Sequence, residues 1–243
     1  MKEVDKNKKV KPPKPKKKPR KKLSPEEKAV TRILNLVNKL EKKTDTMVFP
    51  FLLMPMELGR DLVETTYEML NRNFKDVVDL DVLVTSAGGD IHSAYHLARL
   101  FQRYATGKLR FIVPRYAKRH KILVEKLSAS LPDALLLGQH LKALEVAKYY
   151  VLKLLTTRMF KDREDAQAVA ENIGERLVSG YPDHSCCIDY DEAVALGLNV
   201  VMAPEDEWNI IWDIWKHAQD YMRQQAEATE EAEQAKHDIL DMA

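Results

Sequence analysis

The sequence predicts an α/β fold: a parallel sheet of βαβ units flanked by helices, incomplete after residue 118 and continuing into a helical C-terminal half. Three observations predict it. Apolar runs at 46–54, 80–85 and 109–113 have the length and composition of strands, and segments of helical periodicity separate them. Two glycines, Gly88 and Gly89, stand between the second run and the amphipathic segment 91–104. Beyond Lys118 the composition is that of helices, at 119–128, 134–160 and 163–178.

Local signals justify the elements in turn. Ser24-Pro25-Glu26-Glu27 supplies a capping hydroxyl, a proline at the first helical position and a glutamate at the third, which predicts a helix through about residue 42. The run MVFPFLLM within 46–54 predicts a strand, and 56–73 the helix that follows it. Strand 80–85, helix 91–104 and strand 109–113 complete the alternation, with right-handed crossovers expected. Pro132 and Asp162 interrupt the helical half, Asp162 as the expected cap of the third helix. Strands are expected at 186–188 and 199–202, around a helix that Asp189 begins and Gly197 ends.

Charge divides the chain into three parts. Residues 1–22 hold twelve Lys/Arg and two acidic residues, a net of +10, so that with +2 overall the remainder carries −8. Such a segment has nothing to bury and is expected to be disordered, its prolines favouring extended backbone. The predicted organisation is a basic tail at 1–23, a folded domain at 24–222 and an acidic tail at 223–243, a frayed helix or solvated segment with six acidic and two Lys/Arg residues. The basic tail suits either solubilisation or an anionic partner, and without aromatic residues it has nothing to stack on bases.

Composition excludes several classes. No apolar run approaches the roughly 20 residues of a membrane span, and the lysine-proline N-terminus is unlike a secretory signal. Cys186 and Cys187, the only cysteines, are adjacent, a poor staple and too few for a zinc site, so a reducing, cytoplasmic setting and no metal are expected. No GxGxxG turn occurs, and no dinucleotide or other cofactor is expected. Trp208, Trp212 and Trp215, continued by Met222, form a helical stripe that reads as core or as a subunit interface.

The strand-to-helix turn carries the chemistry. Two glycines there let the backbone approach a ligand, and the following helix aims free N–H groups at a negative charge. Gly88 and Gly89 therefore read as an oxyanion hole, or as glycines required only by a positive φ.

Three blocks, LVTSAGGDIHSAYHLARLF at 83–101, KLRFIVPRYAK at 108–118 and YPDHSCCIDYDEAVALGLNV at 181–200, resemble the serine dehydrogenase proteinase family, serine peptidases of the Clp protease/crotonase superfamily. The resemblance implies a ClpP/crotonase-like sheet in which the SxGG-type turn supplies oxyanion donors. It also implies a serine nucleophile soon after the VPxxAK strand, a homo-oligomer, and a peptide or protein substrate for an active chain. The match stops at Lys118, and Arg119 occupies the position where the family has its serine. The family's next helix, strand and Leu-Gly-Pro-Ile-Asp-Pro stretch are absent. His184 is the candidate base.

Acyl hydrolysis by this route needs a nucleophile, a base and oxyanion donors. No other serine fits the first role. Ser128 and Ser130 read as turn residues, Ser86 as a backbone-bonding turn residue, and Ser185 points away from its neighbour His184 in an extended segment. Lys118 reads as a solvated side chain. The expectation is a peptidase-like protein with weak or no proteolysis, against a non-enzymatic scaffold using the basic tail and the Trp-lined helix. Crotonase-type acyl-CoA chemistry, which needs no serine, fits the blocks at 108–118 and 181–200 less well.

Overall fold

The computed structural model describes residues 23–52, 58–73, 79–86, 88–114, 134–181 and 188–241. It is a mixed α/β structure around a small parallel sheet. The first helix, α1 (Pro25–Thr44), opens on the expected capping box: Glu27 N–H donates to Ser24 Oγ at 3.1 Å, and Ser24 N–H donates to the Glu27 carboxylate at 2.7 Å. Strands β1 (Met47–Leu52), β2 (Leu80–Thr85) and β3 (Leu109–Ile112) lie parallel in the order β1-β2-β3. The connecting helices are α2 (Arg60–Asn73) and α3 (Ile91–Tyr104).

A long helix, α7 (Glu205–Asp241), packs with α1 against one face of the sheet. Strand alternation explains the layering, because successive side chains leave opposite faces. Phe49, Phe51, Leu80 and Val82 turn to α2 and α3, where Leu70, Leu97 and Phe101 close the core. Phe101 meets Phe49 and Phe51 edge-on at centroid distances of 5.4 and 5.8 Å. Val48 and Leu83 turn the other way, to Val37 and Leu40 of α1 and Ile210, Ile211 and Ile214 of α7.

One buried charge crosses the sheet on the α1/α7 side. Asp81 is fully buried, and Arg110, directly opposite it on β3, donates two hydrogen bonds to its carboxylate at 2.7 and 2.5 Å. Thr46 Oγ1 donates a third at 3.0 Å. This fork holds the Arg110 guanidinium above its usual pKa, against the opposing effect of burial.

The remaining helices form a satellite beside α3. They are α4 (Ala134–Leu154), which runs into a π turn at Leu155–Met159, α5 (Ala166–Ser179) and the short α6 (Tyr190–Ala195). Leu155, Phe160, Ala170 and Ile173 make its own small core. Arg158 clamps it to the sheet layer by donating to the carbonyls of Gln102 at 3.2 Å, Ala105 at 2.7 Å and Gly107. Those carbonyls end α3, where unpaired acceptors and the helix dipole both favour a cation.

Four local expectations are corrected. The second helix starts at Arg60 instead of 56, because Leu58 forms a parallel bridge with Gly89. Residues 199–202 form no strand; Val201 and Met202 are exposed, and strand propensity makes no strand without a ladder to join. Asp162 does not cap the helix after the π turn. Asp165 occupies that position, and its carboxylate is held by Arg163 at 2.8 Å. The tryptophans are not the core face of α7: Ile210, Ile211, Ile214 and Ala218 are buried, whereas Trp208, Trp212 and Trp215 stack on one another along its flank, 6.0 and 4.7 Å apart.

Candidate oxyanion turn

The turn lies at the carboxyl end of the central strand, the edge where parallel sheets hold their ligands. From β2 the chain passes Ser86, Gly88 and Gly89 to Asp90, the N-cap of α3. Gly88 has φ 105° and Gly89 φ 142°, both in the region that side chains disfavour. Gly89 is further confined from outside, since a Cβ there would lie 2.4 Å from both the N and the O of Leu58. Leu58 N–H donates to the Gly88 carbonyl at 2.8 Å, and Asp90 N–H donates to the Leu58 carbonyl at 2.9 Å. The turn is thus sewn to the segment that leads into α2.

The donors divide unequally. Gly88 N–H donates to Ser86 Oγ at 3.0 Å, within the turn, so that this group is already engaged. Gly89 sits at the crossing of the parallel bridge, where a residue turns its own N–H away from its partner. Among the described residues that N–H makes no hydrogen bond. One backbone donor is therefore turned away from Leu58, followed by the first turn of α3.

Asp90 anchors that first turn. Its carboxylate accepts from Ser93 N–H and from Ser93 Oγ, both at 2.7 Å. Burial raises the Asp90 pKa, but the Ser93 bonds, the His92 N–H and the charge of His92 outweigh it and hold the group below its ordinary value of 3.8. A depressed carboxylate pKa contributes stability that is present above the unfolded value and lost as pH falls through the folded one. Asp90→Asn, which keeps a capping oxygen, is accordingly expected to flatten the acid side of the unfolding profile. Urea titrations from about pH 7 to about pH 2 check this, since the Asn variant loses less stability on acidification than the parent.

The structure brings Gly88 and Gly89 together as one turn. His184, Arg119, Lys118, Ser128, Ser130, Ser185, Cys186 and Cys187 lie outside the described residues, as does the basic segment 1–22. No protein-family model matches the chain, and no curated protein matches it.

A pair that sequence reasoning missed stands at the start of α3. His92 Nδ1 lies 2.8 Å from Tyr150 Oη of α4, one donating to the other according to the imidazole tautomer. Tyr150 stacks on Tyr95 with centroids 4.0 Å apart. His92 follows the N-cap by two residues, where a helical side chain leans back toward the turn. Nothing in the sequence links it to a tyrosine 58 residues away.

A groove of about 960 Å³ among the described residues runs between α2, α3 and the π turn. Glu64, Tyr67, His96 and Arg103 line it, and no residue of the turn does. Its arginines Arg99 and Arg158 are committed to helix packing, through Gln102 and Thr157 and through the end of α3. Among the described residues no helix is long and apolar enough to cross a membrane.

Proposed function

We propose that this chain is a serine-peptidase-like protein, akin to the serine dehydrogenase proteinases. In this reading it keeps the Gly-Gly turn as a cradle for a peptide carbonyl but lacks the nucleophile, so that its own proteolysis is weak or absent. The observation that carries this reading is the turn: two positive-φ glycines at the carboxyl end of the central strand, running straight into a helix. The sequence blocks around it supply the analogy to the Clp protease/crotonase fold.

The geometry favours impaired chemistry. With Gly88 N–H engaged by Ser86, Gly89 is the donor left for an oxyanion. Loss of one oxyanion donor costs about 10²–10³ in rate, before loss of the nucleophile is considered. Neither described serine nearby is free to replace it: Ser86 bonds within the turn, and Ser93 is buried against Asp90.

A second reading, an assembly module, is favoured by apolar exposure. Val201 is 76% and Met202 71% exposed beside the start of α7, and Trp208 on that helix is 37% exposed. Contiguous groups of such residues mark interaction surfaces, and a homo-oligomer is the natural occupant for a relative of this superfamily.

Fluorophosphonate labelling of the purified chain tests both, run beside casein hydrolysis and light scattering. No labelled serine and casein turnover equal to the buffer control are expected. Labelling of one serine, abolished by its alanine variant, overturns the loss of the nucleophile. An unlabelled, folded oligomer supports the assembly reading, and an unlabelled monomer counts against it.

A further inference from the structure

The N-terminal end of α1 and the acidic C-terminal part of α7 lie at the same end of the α1/α7 pair. The helices run antiparallel, with Lys43 at the end of α1 paired to Asp206 at the start of α7. At the other end, Gln225 Nε2 donates to the Glu26 carboxylate at 3.2 Å. The N-terminal end of α1 therefore lies at the level of Gln225, while α7 continues to Asp241. Those last 16 residues, 226–241, extend about 24 Å at the helical rise.

This extension is acidic on the face available. Residues 226–241 hold six acidic side chains and one lysine, a net of −5. Glu227, Glu230 and Glu231 share a face by their three- and four-residue spacings, and Glu233 adjoins Glu230. Glu227 has Arg223 at 4.0 Å. Glu230, Glu231 and Glu233 are exposed and have no ion-pair partner among the described residues. A net of +10 in residues 1–22 is tethered at the root of this face.

We propose that the acidic extension of α7 is the docking surface for the basic segment 1–22 of the same chain. The segment's length is ample, since an extended proline-rich chain covers about 3 Å per residue and fewer than half of the 22 residues span the 24 Å face. Tethering makes the encounter intramolecular, at an effective concentration of order millimolar, which lets individually weak exposed ion pairs act together. The contact is electrostatic and exposed, so it loosens with salt. Its consequence is that an anionic ligand must compete with α7 for the lysines. This inference is independent of the peptidase reading.

Zero-length carbodiimide cross-linking of the full chain tests it, using an equal mixture of ¹⁵N-labelled and unlabelled protein. Amide links from the lysines of 1–22 to Glu230, Glu231 or Glu233 are expected within single chains at about 50 mM salt, and not at about 500 mM. Links to other carboxylates only, or between differently labelled copies only, overturn the proposal. Independently, the triple variant Glu230→Gln, Glu231→Gln, Glu233→Gln is expected to bind oligothymidylate about tenfold more tightly than the parent at low salt, because its lysines are released. Unchanged affinity from a variant with the parent's helical circular dichroism overturns it.

Discussion

Gly89→Ala is expected to destabilise the protein by about 3 kcal/mol or more, the joint result of backbone strain and a collision. At φ 142° an alanine incurs about 1–3 kcal/mol of strain. Its Cβ would also sit 2.4 Å from two backbone atoms of Leu58, a contact that no side-chain rotation relieves. Relief requires Leu58 to withdraw, which breaks its hydrogen bonds to Gly88 and Asp90, each worth about 1 kcal/mol. Two other glycines calibrate the effect. Gly197, at φ 87° with open space around it, should cost about 1 kcal/mol as alanine, from strain alone. Gly59, with nothing within 4 Å and no positive φ, should change stability by no more than about 0.5 kcal/mol. Urea unfolding of the three variants checks the ranking. Equal effects at Gly89 and Gly197 would mean that the Leu58 bridge does not hold the turn.

Arg110→Met is expected to cost about 3–5 kcal/mol, more than Asp81→Asn at about 2 kcal/mol. The asymmetry comes from burial. Asp81 is fully enclosed, so removing Arg110 leaves a buried carboxylate with Thr46 Oγ1 as its remaining side-chain donor. Arg110 keeps 39% of its side chain exposed, so it turns toward water when Asp81 becomes neutral. The double variant Asp81→Leu with Arg110→Met should regain most of the loss, because an apolar pair leaves no unpaired charge. Thermal and denaturant unfolding of the four proteins completes the cycle. If Arg110→Met were no worse than Asp81→Asn, the ion pair would not be compensating a buried charge.

Much of this architecture was legible locally. Ser24 and Glu27 form the expected capping box, strands appear within each of the three predicted runs before residue 118, and Gly88 and Gly89 do turn β2 into α3. Other readings failed where neighbours were missing from the local pattern. The α2 start was misplaced because Leu58 answers to Gly89 and not to its helical neighbours. The tryptophan periodicity at 208, 212 and 215 was real, but it did not reveal which stripe of α7 meets the sheet. The isoleucines took that place: compact branched side chains let α1 and β2 approach, and the larger rings stack along the flank.

The candidate site divides along the same line. A positive-φ requirement is a property of a few consecutive residues, so glycine and the strand–turn–helix order were enough to locate the turn. Whether its N–H groups are available depends on what packs against them. The bond from Gly88 N–H to Ser86 Oγ spans two residues and accords with the backbone-bonding role expected of Ser86, whereas the tie of Leu58 to the turn's other face and the meeting of His92 with Tyr150 were decided by tertiary structure. So were the burial of Asp81 beneath Arg110, 29 residues away, and the position of the α1 N-terminus beside Gln225, where the acidic extension of α7 begins. Short-range sterics and capping act between residues a few positions apart and can be read from sequence. Charge pairing and bridging between distant segments depend on distances that exist only after the chain has closed on itself.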